Sequence, residues 1–292
     1  MENRSGAGRL VVVTGATGRQ GGSTARHLLA RGFRVRAVTR DPSKPGARAL
    51  AEQGAEVVRG DLDGPTSLEP LLRGADGVFS VQNFWETGYE REIRQGIALA
   101  DLAKAAGTRH LVYSSVASAH RKTGLAHFES KWLIEEHLRA SGLPHTVLRP
   151  VWFMENWAGF RDAIQGGTLP LPLSPDRPFQ QIATDDVGAF AALVFERRDD
   201  WLGRAIDLAS DERSVSEVAG TFGRVIGRPV RYERLPWDQY ERAAGEEYTK
   251  MFRWFEAMGY DADLAELRRV APQLTSLEQF LEAHQWTPAG IA

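Results

Sequence analysis

Cysteine is absent from the 292 residues. That excludes disulfides, thiolate nucleophiles, sulfur-ligated metals and thiol-based redox sensing. Charge of one sign is also lacking: 36 Lys and Arg face 38 Asp and Glu, a net charge of -2, with no long basic run. Phosphodiester backbones are gripped by clustered Lys and Arg, so direct nucleic-acid binding finds little support. Long apolar runs are missing too. The longest, Val187 to Phe195, is far too short to cross a bilayer, and Met1 to Arg9 is polar with no apolar signal core. A soluble cytoplasmic protein without a membrane partner is expected. The seven histidines show no H-E-x-x-H spacing, so no metal site is expected, and no G-x-S-x-G elbow offers an esterase serine. Asp185 and Asp186 precede an apolar helix and read as capping residues.

What is present starts near the beginning of the chain. Val11-Val12-Val13-Thr14-Gly15-Ala16-Thr17-Gly18-Arg19-Gln20-Gly21-Gly22 places Gly15, Gly18 and Gly21 at a G-x-x-G-x-x-G spacing behind a β-branched run. Such a strand turns tightly into a helix and brings bare backbone against a dinucleotide pyrophosphate. An amphipathic helix follows, with Ala25, Leu28 and Leu29 inward and Gly32 as its stop.

Strand-like runs recur at Leu10–Val13, Phe33–Thr39, Ala55–Val58, Gly77–Val81, His110–Ser115 and His145–Arg149, with Ala205–Leu208 as a seventh. Helical segments lie between most of them. The clearest are Glu90–Ala106, with Ile93, Ile97 and Ala100 on one face, and Phe128–Ala140, with Ile134 and Leu138 on one face. This alternation predicts an α/β fold, a Rossmann-type doubly wound parallel sheet, with a smaller, mostly helical C-terminal substrate lobe. The dinucleotide-binding domain is expected over 1–150 with 183–210 returning to it, and the smaller lobe over 151–182 and 211–292. Gly166–Pro178 reads as an irregular excursion, Ser214-Val215-Ser216-Glu217 as a capping box, and Pro229–Arg234 as a short strand.

In an open parallel sheet, ligands bind beyond the carboxyl ends of the strands. Polar and glycine residues gather there: Gly15, Arg40, Asp61, Gln82 with Asn83, Ser114 with Ser115, and Pro150, after successive strands. The second strand ends Ala37-Val38-Thr39-Arg40, with Asp41 next and Lys44 close behind, where an NAD binder usually carries an acid. Arg40 can grip a 2′-phosphate bidentately, and Arg19 can reach the same group, so NADP(H) is preferred over NAD. Asp61 either accepts from the adenine amino group or caps the next short helix.

Four stretches resemble the NmrA/HSCARG-like group of atypical short-chain dehydrogenases/reductases. They are the glycine loop, Val38-Thr39-Arg40-Asp41-Pro42, His127-Phe128-Glu129-Ser130-Lys131 and Phe153-Met154-Glu155-Asn156. The resemblance runs from about Arg9 to Trp157 and more loosely beyond. It implies cofactor contacts from Gly15, Thr17, Gly18, Arg19, Gln20, Gly21, Arg40, Lys44, Asp61, Leu62, Gln82, Asn83, Lys131, Phe153, Glu155 and Asn156. Standard members of the wider class carry Tyr-x-x-x-Lys on one helical face and a Ser at the preceding strand end. Here the pair reads His127-x-x-x-Lys131, so the lysine is kept and the tyrosine is missing. Lysine is scarce in this chain (44, 104, 122, 131 and 250), which singles out Lys131, although a surface ion pair with Glu135 would also explain it. His127 is either a proton donor or a capping and packing residue. Ser114 or Ser115 is a candidate to polarise a carbonyl, and Tyr113 or His120 to act as an acid. The stretch Pro150–Trp157 is implied to pass beside the nicotinamide. Phe84, Trp85, Trp152, Trp157, Phe160, Phe252 and Trp254 then either build a pocket for a flat substrate or are simply core.

Two functions follow from the resemblance. The first is an NADPH-dependent reductase of a small, flat, electron-poor, quinone-like acceptor, which needs little general-acid help. The second is a non-catalytic NADPH/NADP redox sensor acting on a protein partner. Substrate identity and oligomeric state are not encoded in any motif.

Overall fold

The computed structural model describes residues 8–286, so Met1–Ala7 and the last six residues of the expected smaller lobe lie outside it. The first of the two units into which the chain packs, Met1–Arg149 with Thr184–Ile206, is a strand–helix alternation. In order come β1 (Leu10–Val13), α1 (Arg19–Ala30), β2 (Arg34–Thr39), α2 (Pro45–Glu52), β3 (Glu56–Arg59), α3 (Pro65–Leu72), β4 (Gly77–Ser80), α4 (Phe84–Ala105), β5 (His110–Ser114), α5 (Ala126–Ser141) and β6 (His145–Pro150). After an excursion through β7 (Trp152–Phe153), α6 (Arg161–Gln165), β8 (Thr168–Leu171) and β9 (Pro178–Ile182), the chain returns with α7 (Thr184–Glu196), α8 (Arg198–Trp201) and β10 (Ala205–Leu208).

The main sheet has seven strands in the order β10-β6-β5-β4-β1-β2-β3. The β1 to β6 ladders are parallel, with Val12 of β1 facing Arg36 of β2 and Val78 of β4. Both faces are covered, which is why β1, β4 and β5 are buried throughout. Strand order reverses at β1, the switch point where such sheets open a crevice. This is the Rossmann-type doubly wound sheet that the alternation predicts.

Two glycines set the helix packing. A Cβ on Gly188 of α7 would lie 2.2 Å from Ser23 Oγ of α1, so these helices touch backbone to backbone. Asp185 locks the same contact, accepting from Ser23 Oγ at 2.8 Å and pairing with His27 Nε2 at 2.9 Å. His27 holds its carboxyl well below the usual range. A Cβ on Gly96 of α4 would meet Ile134 Cδ1 of α5 at 2.5 Å. The buried stripe of α4 runs through Glu92, Gly96, Leu99, Ala100 and Ala103, turning Ile93 and Ile97 to half-buried positions. The helix also starts earlier than its apolar period suggests: Phe84–Thr87 forms a first turn, set off by Gly88 at φ 74° and ψ 175°.

The second unit, Pro150–Ala183 with Asp207–Ala292, adds β11 (Asp211–Ser214), α9 (Val215–Ile226), β12 (Arg231–Arg234), α10 (Trp237–Ala244), α11 (Glu246–Ala257), α12 (Leu264–Val270) and α13 (Leu277–Ala283). The capping box at Ser214 and Glu217 is present in both directions. Gly166–Pro178 is not irregular throughout. It contains β8, parallel to β12, and reaches the first residue of β9. Leu169 and Leu171 alternate inward there, a period too short to stand out beside Pro170 and Pro172. Among the described residues, no helix is long and apolar enough to cross a membrane.

Candidate functional site

The glycine loop is fastened from below. Thr14 Oγ1 donates to Phe79 O at 3.1 Å and accepts from Val81 N at 3.1 Å, tying the end of β1 to that of β4. Gly15 turns at φ +59°, where a Cβ would press on Val81 Cγ1 at 2.9 Å. Gly18 N donates to Gly15 O at 2.9 Å. A Cβ on Gly21 would sit 2.3 Å from Gly15 O, so only glycine lets α1 start this close to β1. Gly18 is the N-cap of α1 and supplies no side-chain cap. The first N–H groups of α1 therefore keep their capacity for an external acceptor, and the helix dipole adds to their pull. Thr17, Gly18 and Arg19 are exposed around them.

Neighbouring strand ends add the other groups. Arg40, directly after β2, reaches Glu86 Oε1 in the first turn of α4 at 2.5 Å, and both side chains are largely in solvent. Lys44 is exposed at the start of α2. Asp61 is exposed, and its Oδ1 accepts from Asp63 N at 3.0 Å, closing a local turn rather than capping α3, whose N-cap is Gly64. Leu62 beside it is half-buried. Gln82 is buried; its Nε2 donates to Ser80 Oγ at 3.0 Å, while its Oε1 has no partner. Asn83 caps α4, accepting from Trp85 N at 3.2 Å.

The start of α5 gathers the remaining polar groups of this unit. Ser114 Oγ, at the end of β5, donates to Gln20 Oε1 at 2.6 Å, joining two of the predicted residues. Ser115 faces elsewhere: it donates at 2.6 Å to the buried Glu135, which also takes Arg149 Nη2 at 2.7 Å and Arg139 Nη2 at 2.7 Å. Its hydroxyl proton is thus engaged in an ion network of the interior. Lys131 does not pair with Glu135. Its Nζ lies 2.7 Å from Glu92 Oε1, and Glu92, fully buried, also accepts from Ser130 Oγ. Glu92 escapes a reading of periodicity because a carboxylate occupies a core position of α4. His127 is buried, one turn before Lys131, among the rings of Phe84 (5.6 Å between centroids), Trp85 (5.1 Å) and Phe128 (4.8 Å).

Of the two proposed stand-in acids, Tyr113 does not fit. Tyr113 has no exposed surface, and burial pushes its phenol well above its ordinary value. His120 Nδ1 accepts from Arg149 Nη1 at 3.0 Å, which commits that nitrogen's lone pair.

In the second unit Phe153, Glu155 and Asn156 are half-buried on β7 and the 3-10 turn after it. The expected pocket aromatics there are mostly interior. Trp157 and Phe252 have no exposed surface and Trp152 very little. Trp152 contacts Trp157, Phe179, Phe252 and Phe255 with centroids 5.6 to 6.2 Å apart, and Trp157 Nε1 donates to Gln181 Oε1 at 2.8 Å. Phe160 packs on Trp157, and the half-buried Trp254 borders Phe255 and Tyr260. These rings form the core of their unit, because each is covered by others. Among the described residues, no group of three or more His, Asp or Glu is arranged to hold a metal ion.

The fold and its strand-end loop define a doubly wound α/β protein with a glycine-built, uncapped helix start at the switch point. The NmrA-like family model matches residues 8–281. The chain belongs to the NmrA-like family. Among its relatives, the NmrA-like family domain-containing oxidoreductase FrzB of a Cladobotryum species is 33% identical over 267 residues, covering 80% of this chain and 78% of that one. Solved structures share the fold as well. The NADPH-dependent quinone oxidoreductase QOR2 of Escherichia coli, complexed with NADPH, superposes with a TM-score of 0.80 at 22% identity, covering 95% of this chain and 99% of its own. NmrA, a negative transcriptional regulator in complex with NADP, superposes at 0.79 with 24% identity over 94% of each chain.

Proposed function

We propose that the protein is an NADP(H)-dependent reductase of a small, flat, electron-poor acceptor. The observation that carries this reading is the uncapped start of α1 above three close-packed glycines, with Arg40 on the next strand end. The buried, partnerless Gln82 Oε1 adds an acceptor at the neighbouring end of β4, as a donor-bearing ligand requires. A bound nicotinamide dinucleotide would supply the hydride. In this reading the first N–H groups of α1 hold the pyrophosphate, Arg40 with Lys44 neutralises the 2′-phosphate, and Lys131, braced by Glu92, holds the nicotinamide ribose. No tyrosine stands one turn before Lys131, so the acceptor must tolerate slow protonation. Quinone-like compounds do, because their negative charge is delocalised. The oxidoreductase FrzB and the quinone oxidoreductase QOR2 support the class of reaction. Stopped-flow loss of NADPH absorbance against a panel of quinones tests it: turnover above the buffer rate is expected for at least one acceptor, and none for any would overturn the reading.

The enclosure of His127 by three rings favours a second reading, a redox sensor without turnover, to which the regulator NmrA lends support. Sensing requires unequal affinity for the two cofactor forms, since equal binding shifts no population. Calorimetry with NADPH and NADP⁺ decides it; matched affinities remove it.

A further inference from the structure

The ion pair between Arg40 and Glu86 crosses the strand order. Arg40 follows β2 and Glu86 follows β4, and β1 with its glycine loop lies between them. Strands spaced about 4.8 Å apart put these two ends about 10 Å apart, a gap that the two extended side chains bridge. A ligand phosphate that takes Arg40 bidentately through Nη2 competes with a carboxylate already held there.

Glu86 does not sit on a rigid helix. It belongs to the single turn Phe84–Thr87, pinned at one end by the Asn83 cap and parted from the rest of α4 by Gly88, whose φ of 74° and ψ of 175° lie outside the helical region. The same turn carries Phe84 and Trp85, whose rings rest on His127. Trp85 is 53% exposed, so little packing resists its displacement. One short turn therefore joins Arg40 at one strand end to His127 on α5.

We propose that Glu86 is a specificity-determining residue: an internal occupant of Arg40 that a ribose 2′-phosphate displaces, moving the Phe84–Thr87 turn and Trp85 with it. A dinucleotide without that phosphate leaves the pair closed. The inference rests on the reading of Arg40 as the 2′-phosphate ligand, and extends it to how NADP(H) is told from NAD(H) and how that choice is passed towards His127. An exposed carboxylate competing for one guanidinium weakens phosphate binding by about two- to fivefold, the range of solvent-exposed ion pairs.

The test compares wild type, Glu86→Gln and Trp85→Phe by calorimetry and tryptophan emission, with NADP⁺, NAD⁺, adenosine 2′,5′-bisphosphate and 5′-AMP as probes. Glu86→Gln is expected to tighten NADP⁺ and the bisphosphate about two- to fivefold and to leave NAD⁺ and 5′-AMP unchanged. The two 2′-phosphorylated probes are expected to change wild-type emission, and Trp85→Phe to abolish that change. Equal shifts for phosphorylated and unphosphorylated probes, no shift at all, or the same emission change with NAD⁺ would overturn the role of Glu86 while leaving the cofactor reading intact. Failure of wild type to bind either 2′-phosphorylated probe would overturn the cofactor reading, and this inference with it.

Discussion

In the second unit Trp152, Trp157 and Phe252 are closed off by other rings, whereas in the first unit Phe84 and Trp85 border a single histidine and leave Trp85 in solvent. Both sets look alike as composition. Their settings differ because Trp157 and Phe252 are carried on elements that turn them to an interior, while Trp85 sits in a capped turn at a strand end. Aromatic richness alone therefore says nothing about ligands. A ring matters to a site when its neighbours are polar and its removal costs the fold little.

The sharpest break in that comparison is the truncation of Trp157. Trp157→Ala empties a fully buried site and leaves Gln181 Oε1 without its donor. A loss of about 3 to 5 kcal/mol is expected in urea unfolding, the usual range for a buried tryptophan. A loss below about 1 kcal/mol would mean that this ring is not core and would restore it as a pocket wall.

Lys131 should behave more like Trp157 than like Trp85. Its partner Glu92 has no exposed surface, so Lys131→Met strands a buried carboxylate and should cost about 3 kcal/mol with no ligand present. Glu92→Gln keeps an acceptor for Ser130 Oγ and should cost less. Equal stability of Lys131→Met and wild type would show that the pair carries no structural weight and leave Lys131 as a ligand-facing residue alone.

Much of this was legible in the sequence, and for a consistent reason. The glycine loop, the seven strands and the Ser214 capping box follow from backbone geometry and local period, which a few adjacent residues determine. What stayed hidden depends on pairs far apart in the chain. Glu92 sits in the buried stripe of α4, whereas the apolar residues alone centre that stripe on Ile93 and Ile97, which are only half-buried beside the buried Ala100. The i, i+4 alternative of Glu135 as the partner of Lys131 does not hold either, because Glu135 serves Ser115, Arg139 and Arg149. Glu86 lies in a turn that the helical period does not reach across Gly88, so its link to Arg40 had no local signal.

The opposite end of the first unit's sheet supplies a pH-dependent contrast. His110 opens β5 and is buried; burial, helped by the charge of Arg198, pushes its imidazole from 6.5 down to about 3. Thr146 Oγ1 donates to Trp201 O at 2.8 Å, so it accepts the His110 Nε2 proton, and the ring is neutral when folded. Between pH 6.5 and about 3 the unfolded chain takes up a proton that the folded chain refuses. Stability should therefore fall as pH drops through that window, by up to about 1.4 kcal/mol per pH unit from this group. His110→Gln keeps a donor for Thr146 and should flatten the slope. Parallel stability curves for the two proteins would show that His110 titrates normally.

The smallest expected effect is the one that isolates the strand-end aromatics. Trp85→Ala removes a ring that is 53% exposed and has no part in the sheet core, so its cost to unfolding should stay within about 0.5 kcal/mol. The same change uncovers His127, which Trp85 and Phe84 now flank. If Trp85 covers that imidazole, the ring-current shift it imposes on the His127 ring protons should disappear in Trp85→Ala while the melting temperature holds. A large stability loss with unmoved His127 ring-proton signals would place Trp85 with Trp157, as core, and erase the distinction between the two aromatic sets.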